Sequence, residues 1–152
     1  MGKLMKLRTL FSLDFKTLFL LVEATWFLGT ARIRIFNQPF SKIAPTLGEY
    51  MKETEIHATD EHRKMLVQIR YILQVASRNT PWDSKCLARA IAGMQMLERR
   101  NISSTLYLGT TKDEAGKLIA HAWLRSGSIF ITGSEEMHRF TVTGMFANVT
   151  YS

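Results

Sequence analysis

Cys86, the single cysteine of the chain, and His121 are the two residues whose type and setting suit chemistry. Cys86 stands in Ser84-Lys85-Cys86-Leu87-Ala88-Arg89-Ala90, at the first turn of a segment patterned as a helix. Unpaired backbone N–H groups and the positive end of the helix dipole favour a thiolate there. The ordinary alternative is a small hydrophobe in an apolar helix. His121 lies within Lys117-Leu118-Ile119-Ala120-His121-Ala122-Trp123-Leu124, a run that reads as a half-buried strand and would hold a base rigidly. A lone strand histidine is more often structural, so the pair is more informative than either member: a helix-opening thiol followed by a sheet-borne imidazole suits acyl chemistry at a thiolate.

The elements that must position this pair follow from periodicity. A helix is expected from about Thr59 to Ser77, capped by Thr59 or Asp60, with Met65, Ile69, Ile72 and Val75 at helical spacing. Arg78-Asn79-Thr80-Pro81 stops it. The segment Ser84 to Arg99 is apolar around most of its circumference and reads as a buried central helix, capped by Asp83 or Ser84 and closed at Asn101. Beyond Asn101 the period changes to two: Ser104–Leu108, Lys117–Arg125, Ser128–Thr132 and Phe140–Val149 read as strands, with short turns at Lys112–Gly116 and Ser126-Gly127. Helices first and an antiparallel meander second define an α+β fold.

The first 55 residues form a helical region and residues 56–152 the core that carries the chemistry. Lys3, Lys6 and Arg8 ahead of Leu18–Leu28 imitate a signal peptide, but Glu23 interrupts the run. The uncharged stretches on either side of it hold six and eight residues, far short of the roughly 20 needed to span a bilayer. Lys16, Glu23 and Thr30 recur every seven residues and predict a narrow polar stripe on an otherwise apolar helix, packed into the protein, docked on a partner or laid on a membrane surface. Phe40–Lys52 reads as a short helix with Pro45 near its start or breaking it.

Composition bounds the rest. At 152 residues and 46% hydrophobic content the chain can build a core without disulfides or metal. One cysteine and four scattered histidines offer no metal-ligand spacing, and a lone thiol suits a reducing, cytoplasmic setting. No cofactor is implied. The net charge of +7 is spread along the chain with no one-sided basic stripe, which argues for solubility and attraction of an acidic peptide rather than nucleic-acid binding.

Pro81-Trp82-Asp83-Ser84-Lys85-Cys86-Leu87-Ala88-Arg89-Ala90, the helix end Leu97–Ile102, the strand Leu106-Tyr107-Leu108-Gly109 and Ala120-His121-Ala122-Trp123-Leu124 together resemble the lasso-peptide leader peptidases. These are transglutaminase-like cysteine peptidases typified by the microcin-processing protein, and the resemblance runs from about residue 60 to 149, with a similar helical region ahead of it. It implies a papain/transglutaminase-like core, Cys86 as nucleophile, His121 as base, and cleavage of the leader from a lasso-peptide precursor. Its implied partners are the precursor, a separate leader-recognition protein and an ATP-dependent cyclase; the apolar helix over residues 15–29, which could also meet a membrane surface, is the expected part of the docking surface. An acyl transferase using the same Cys and His, and a non-catalytic peptide-binding module, are the alternatives.

Many relatives carry an acid about twelve positions after the histidine, where this chain has Gly133. A hairpin turning at Ser126-Gly127 would set Thr132 or Gly133 opposite His121. The ring could then be oriented by a backbone carbonyl or the Thr132 hydroxyl, by Glu135 reaching back, or by nothing in a Cys–His dyad; the first is expected. Asn79 and Trp82 are candidate oxyanion or substrate contacts, Trp123 a core or groove-wall residue, and the Cys86 backbone N–H the safer oxyanion donor. Arg89, one turn past Cys86, is a candidate partner for the thiolate or a peptide carboxylate. His57, His62 and His138 read as surface residues, with His138 an alternative base.

Overall fold

A helix apolar on nearly every side has to be enclosed, and the remaining elements are arranged to enclose one. The computed structural model describes residues 14–57, 60–80 and 85–151. The long first helix, α1, covers Phe15–Asn37 and is followed by a short α2, Phe40–Ile43, and a 3-10 turn, Ala44–Thr46. Of the two roles expected for Pro45 in Phe40–Lys52, it breaks the helix: α2 gives way to the 3-10 turn, Gly48 at φ 119° redirects the chain, and a two-residue strand β1, Glu49–Tyr50, stands where the helix was expected to reach Lys52. Then come α3, Asp60–Asn79, and the enclosed helix α4, Cys86–Glu98.

The sheet follows as β2 (Ser104–Lys112), β3 (Leu118–Ser126), β4 (Ile129–Thr132) and β5 (Thr141–Asn148), with a 3-10 turn at Met137–Arg139. All pairings are antiparallel, in the order β1-β5-β2-β3-β4. The architecture is α+β, but the sheet departs from a simple meander. β5 returns across the sheet to pair with β2 instead of extending from β4.

α4 packs on β2, β3 and β4 on one side and on α1 and α3 on the other. Ala88, Ala90, Ile91, Ala92, Met94, Met96 and Leu97 are all buried. The α3 face that meets it is Leu66, Ile69, Ile72, Leu73 and Ala76, rotated slightly from the expected stripe, whose Met65 and Val75 are only half-buried. α1 adds Leu20, Ala24, Leu28 and Ala31 to that same core. α4 closes at Asn101 in the left-handed region, φ 55°, with the Ile102 N–H donating to the Leu97 carbonyl at 3.0 Å. Lys85 occupies its N-cap position without a side-chain cap; Asp83, Ser84 and Thr59, expected caps, lie outside the described residues.

Two buried charges brace this arrangement. Glu23, a member of the expected polar stripe, is 6% exposed and takes a bidentate pair from Arg100 at 2.8 and 2.7 Å, with Arg99 at 3.3 Å. The pair ties α1 to the end of α4, and the Glu23 hydrogen bond holds the Arg100 guanidinium above its ordinary pKa. On the other face of the sheet, Arg125 is 6% exposed. It donates to the Tyr107 hydroxyl, to the Gly127 and Thr54 carbonyls at 2.7 and 2.9 Å, and lies over the Tyr107 ring. Burial and the hydrogen bond to Glu53 raise the Tyr107 phenol above its usual range, against the opposing effect of Arg125. This network pins the segment before α3 to the sheet.

Removing the Glu23 carboxylate strands two guanidinium groups, one of them mostly buried. Glu23→Ala is expected to cost about 2–4 kcal/mol in urea unfolding, below the full cost of breaking a wholly buried pair because Arg100 keeps some solvent contact. A loss under about 0.5 kcal/mol would reduce the pair to an ordinary surface bridge.

Candidate active site

Cys86 is the first residue of α4, half-buried against the core, at the turn whose N–H groups lack helical partners. Arg89 follows one turn later, its N–H closing the first helical bond onto the Lys85 carbonyl at 3.1 Å.

His121 is held in the sheet opposite Gly109 and is 8% exposed. Its ring lies between two aromatic neighbours, Phe140 at 4.9 Å and Trp123 at 5.8 Å between centroids. Gly109 makes that packing possible: a Cβ there would fall 2.8 Å from the Trp123 ring. Nε2 of His121 is 2.8 Å from the Gly133 carbonyl. A carbonyl only accepts, so Nε2 carries the proton and the neutral ring keeps its lone pair on Nδ1.

The orienting group is therefore the Gly133 backbone. The Thr132 hydroxyl is buried without a hydrogen-bond partner, and Glu135 is exposed. The register differs from the one expected because the two-residue loop is Gly127-Ser128, one position later, and a bulge follows between Leu124 and Arg125. Thr132 consequently stands opposite Leu124 rather than His121. Gly133 then leaves the ladder with φ 75° and swings its carbonyl onto the imidazole.

The two central residues reach the same end of the sheet but not the same face. Arg89 lines a cavity with Thr132–Glu135, so α4 starts beside the end of β4, which runs antiparallel to β3 toward His121. Along β3, Leu124 meets α4 at Gly93, whereas Trp123 and Arg125 meet Tyr107 on the opposite face, and His121, two residues before Trp123, shares that face with them. No hydrogen bond joins Cys86 to His121. Of the other candidates, Asn79 is exposed and spends its amide on the Val75 carbonyl at 2.8 Å. Trp123 is buried as a wall stacked on Tyr107 at 5.6 Å. Trp82 lies outside the described residues. His57 and His138 are exposed and His62 is half-buried. Among the described residues no group of histidine, cysteine and carboxylate side chains is placed to hold a metal. No described helix is long and apolar enough to cross a membrane.

This plan, a thiol opening a buried helix against an antiparallel sheet that carries a histidine, is that of a cysteine acyl-transfer fold. The family model of the transglutaminase-like superfamily matches residues 26–145, and the chain belongs to that superfamily. The fold fits cysteine peptidases and acyl transferases in general. No curated protein and no solved structure matches the chain significantly.

Gly133 is tightly specified. A Cβ there would sit 2.6 Å from the Ala122 carbonyl oxygen and 2.9 Å from Trp123 Cβ, on a backbone that side chains rarely adopt. Gly133→Ala and Gly133→Asp are each expected to cost about 1–3 kcal/mol, read as a fall of roughly 2–12 °C in Tm for a chain of this size. A stable Gly133→Asp variant with higher activity would show instead that a carboxylate fits there. Glu135→Gln is expected to change the turnover rate less than about tenfold, because it removes no contact made in the transition state; a loss near 10⁴ would make Glu135 a member of a triad.

Proposed function

We propose that this chain is a cysteine peptidase that removes the leader from a lasso-peptide precursor. The observation that carries the reading is Cys86 as the first residue of a buried helix in a transglutaminase-like chain. The motifs around Cys86 and His121, in the order and separation quoted above, support the leader-peptidase subtype over the wider superfamily.

In this mechanism the Cys86 thiolate attacks the last leader carbonyl, and the new oxyanion is met by the Cys86 backbone N–H at the helix start. His121 takes up the thiol proton at Nδ1 and returns it to the departing amine of the core peptide. Water, activated by the same nitrogen, then hydrolyses the acyl-enzyme and releases the leader acid and the free thiol. The Gly133 carbonyl keeps Nε2 protonated throughout. Because His121 stands on the sheet face away from α4, bringing its Nδ1 to the thiol requires a rearrangement at the ends of β3 and β4 when substrate engages, larger than the tightening of an existing hydrogen bond.

The precursor reaches the enzyme in the cytoplasm on a separate recognition protein, and an ATP-dependent cyclase takes the product. The recognition protein docks on the outer stripe of α1, where Phe15, Phe19, Val22, Trp26, Ile33 and Phe36 are exposed. Trp26 alone is 69% exposed, and large aromatic side chains of this kind are common anchors in protein interfaces.

A second reading, a peptide-binding module without catalysis, is favoured by the isolation of the pair: Cys86 and His121 share no hydrogen bond, and among the described residues no carboxylate bonds the imidazole. Cleavage of precursor in the presence of the recognition protein separates the two. Cys86→Ala is expected to abolish cleavage while leaving the circular dichroism spectrum unchanged, and His121→Ala to lower the rate by orders of magnitude and slow alkylation of Cys86 by iodoacetamide near neutral pH. Cleavage by Cys86→Ala at the wild-type rate would sink the peptidase reading. Resolution of the acyl-enzyme by an added amine in preference to water would make the protein an acyl transferase.

A further inference from the structure

Three arginines converge on a cavity that the cleavage mechanism leaves unused. The cavity, of about 280 Å³, lies between α3, the first turns of α4 and the end of β4. Arg70 and Arg78 from α3 and Arg89 from α4 line it, with Gln74, Thr132 and Glu135. None of the three guanidinium groups has an ion pair with a described carboxylate. Glu135 on the rim leaves the lining with two more positive than negative side chains, 3 − 1.

Its floor is equally unspent. Arg89 Nε and Thr132 Oγ1 are buried and lack hydrogen-bond partners, and leaving such groups unsatisfied costs about 1–3 kcal/mol each unless something meets them. Thr132 is 9% exposed and lines the cavity with its hydroxyl just beneath the surface, so a bound group reaches it through a small side-chain shift. Guanidinium forks match a carboxylate bidentately, and a hydroxyl donor beside them completes its hydrogen-bonding shell. The volume suits one acidic group with a short stem, not a folded partner. Gly133 is part of the wall, and its carbonyl is the one that holds His121.

We propose that this cavity is a subsite for a carboxylate of the peptide substrate, placed beside the His121 support so that an acidic group fixes the register of the bound chain. The substrate role rests on the peptidase reading above; the binding of a carboxylate does not. The chemistry admits an acidic side chain or a free C-terminus, and capped peptides separate them.

The test follows the arginine side-chain Nε–Hε signals of ¹⁵N-labelled full-length protein during titration with acetyl-Ala-Glu-amide, acetyl-Ala-Ala with a free carboxylate, and acetyl-Ala-Gln-amide. A saturable shift of the Arg89 signal is expected with at least one acid and not with the amide control. The acid that produces it identifies the source. Arg70→Gln combined with Arg78→Gln, both at exposed helix positions that tolerate glutamine, should weaken that binding at least tenfold. Equal shifts with the control, no saturable shift with either acid, or undiminished binding in the double variant would overturn the proposal. Should Cys86→Ala still cleave while the acids bind, the peptidase reading fails and the subsite stands. An active, Cys86-dependent enzyme that binds neither acid would keep the peptidase reading and remove the subsite.

Discussion

The rest of the molecule is built around the close approach of α4 to the sheet at Gly93. A Cβ at that position would lie 2.8 Å from Leu124 Cδ2 and 3.0 Å from Leu73 Cδ1, so the helix can settle between β3 and α3 only because the side chain is missing. Close packing of this kind leaves little freedom for rigid elements to shift. Where Gly93 sits, the start of the helix two turns earlier is fixed as well, and with it Cys86 and Arg89. α1 then closes over the exposed side of α4, and the Glu23 pair with Arg100 locks the far end. The site is thus positioned from both ends of one helix.

Much of this was legible in the residues. The strands β2 to β5 were readable because β-branched, aromatic and apolar runs are bounded by turn residues, although long stretches of β2 and β3 are buried without alternation, and α4 because Leu87 through Leu97 is apolar on nearly every side. Glu23 was not. A heptad recurrence of polar residues reads as a polar stripe, and only the Arg100 partner, 77 residues away, explains why a carboxylate points inward. Arg125 escaped for the same reason, since the carbonyls that satisfy it come from Thr54, Glu55 and Gly127. The return of β5 to β2 is likewise a long-range pairing that local pattern cannot encode.

The candidate site divides along that line. Chemistry-bearing residue types were visible, and the orienting carbonyl was anticipated as one option. Its location was not, because a one-residue displacement of the β3–β4 loop and a bulge together change the register, and the sign of φ at Gly133 has no signature beyond the glycine itself. The physical consequence matters for the chemistry. A carbonyl dipole fixes the tautomer of His121 as a carboxylate would, yet it offers the imidazolium less electrostatic support. The aromatic rings on either side of His121 supply rigidity rather than charge.

The central claim is that Cys86 is a nucleophile addressed by a leader peptide, and a covalent probe tests it most directly. A leader peptide bearing a vinyl sulfone in place of its scissile carbonyl is incubated with the protein and the proposed recognition protein, and labelling is followed by intact mass and peptide mapping. The account predicts one adduct per chain, on Cys86, at a rate that saturates with peptide concentration and far exceeds that of glutathione. Labelling that stays linear in peptide and no faster than glutathione would show a thiol with neither activation nor a leader site, and would contradict it.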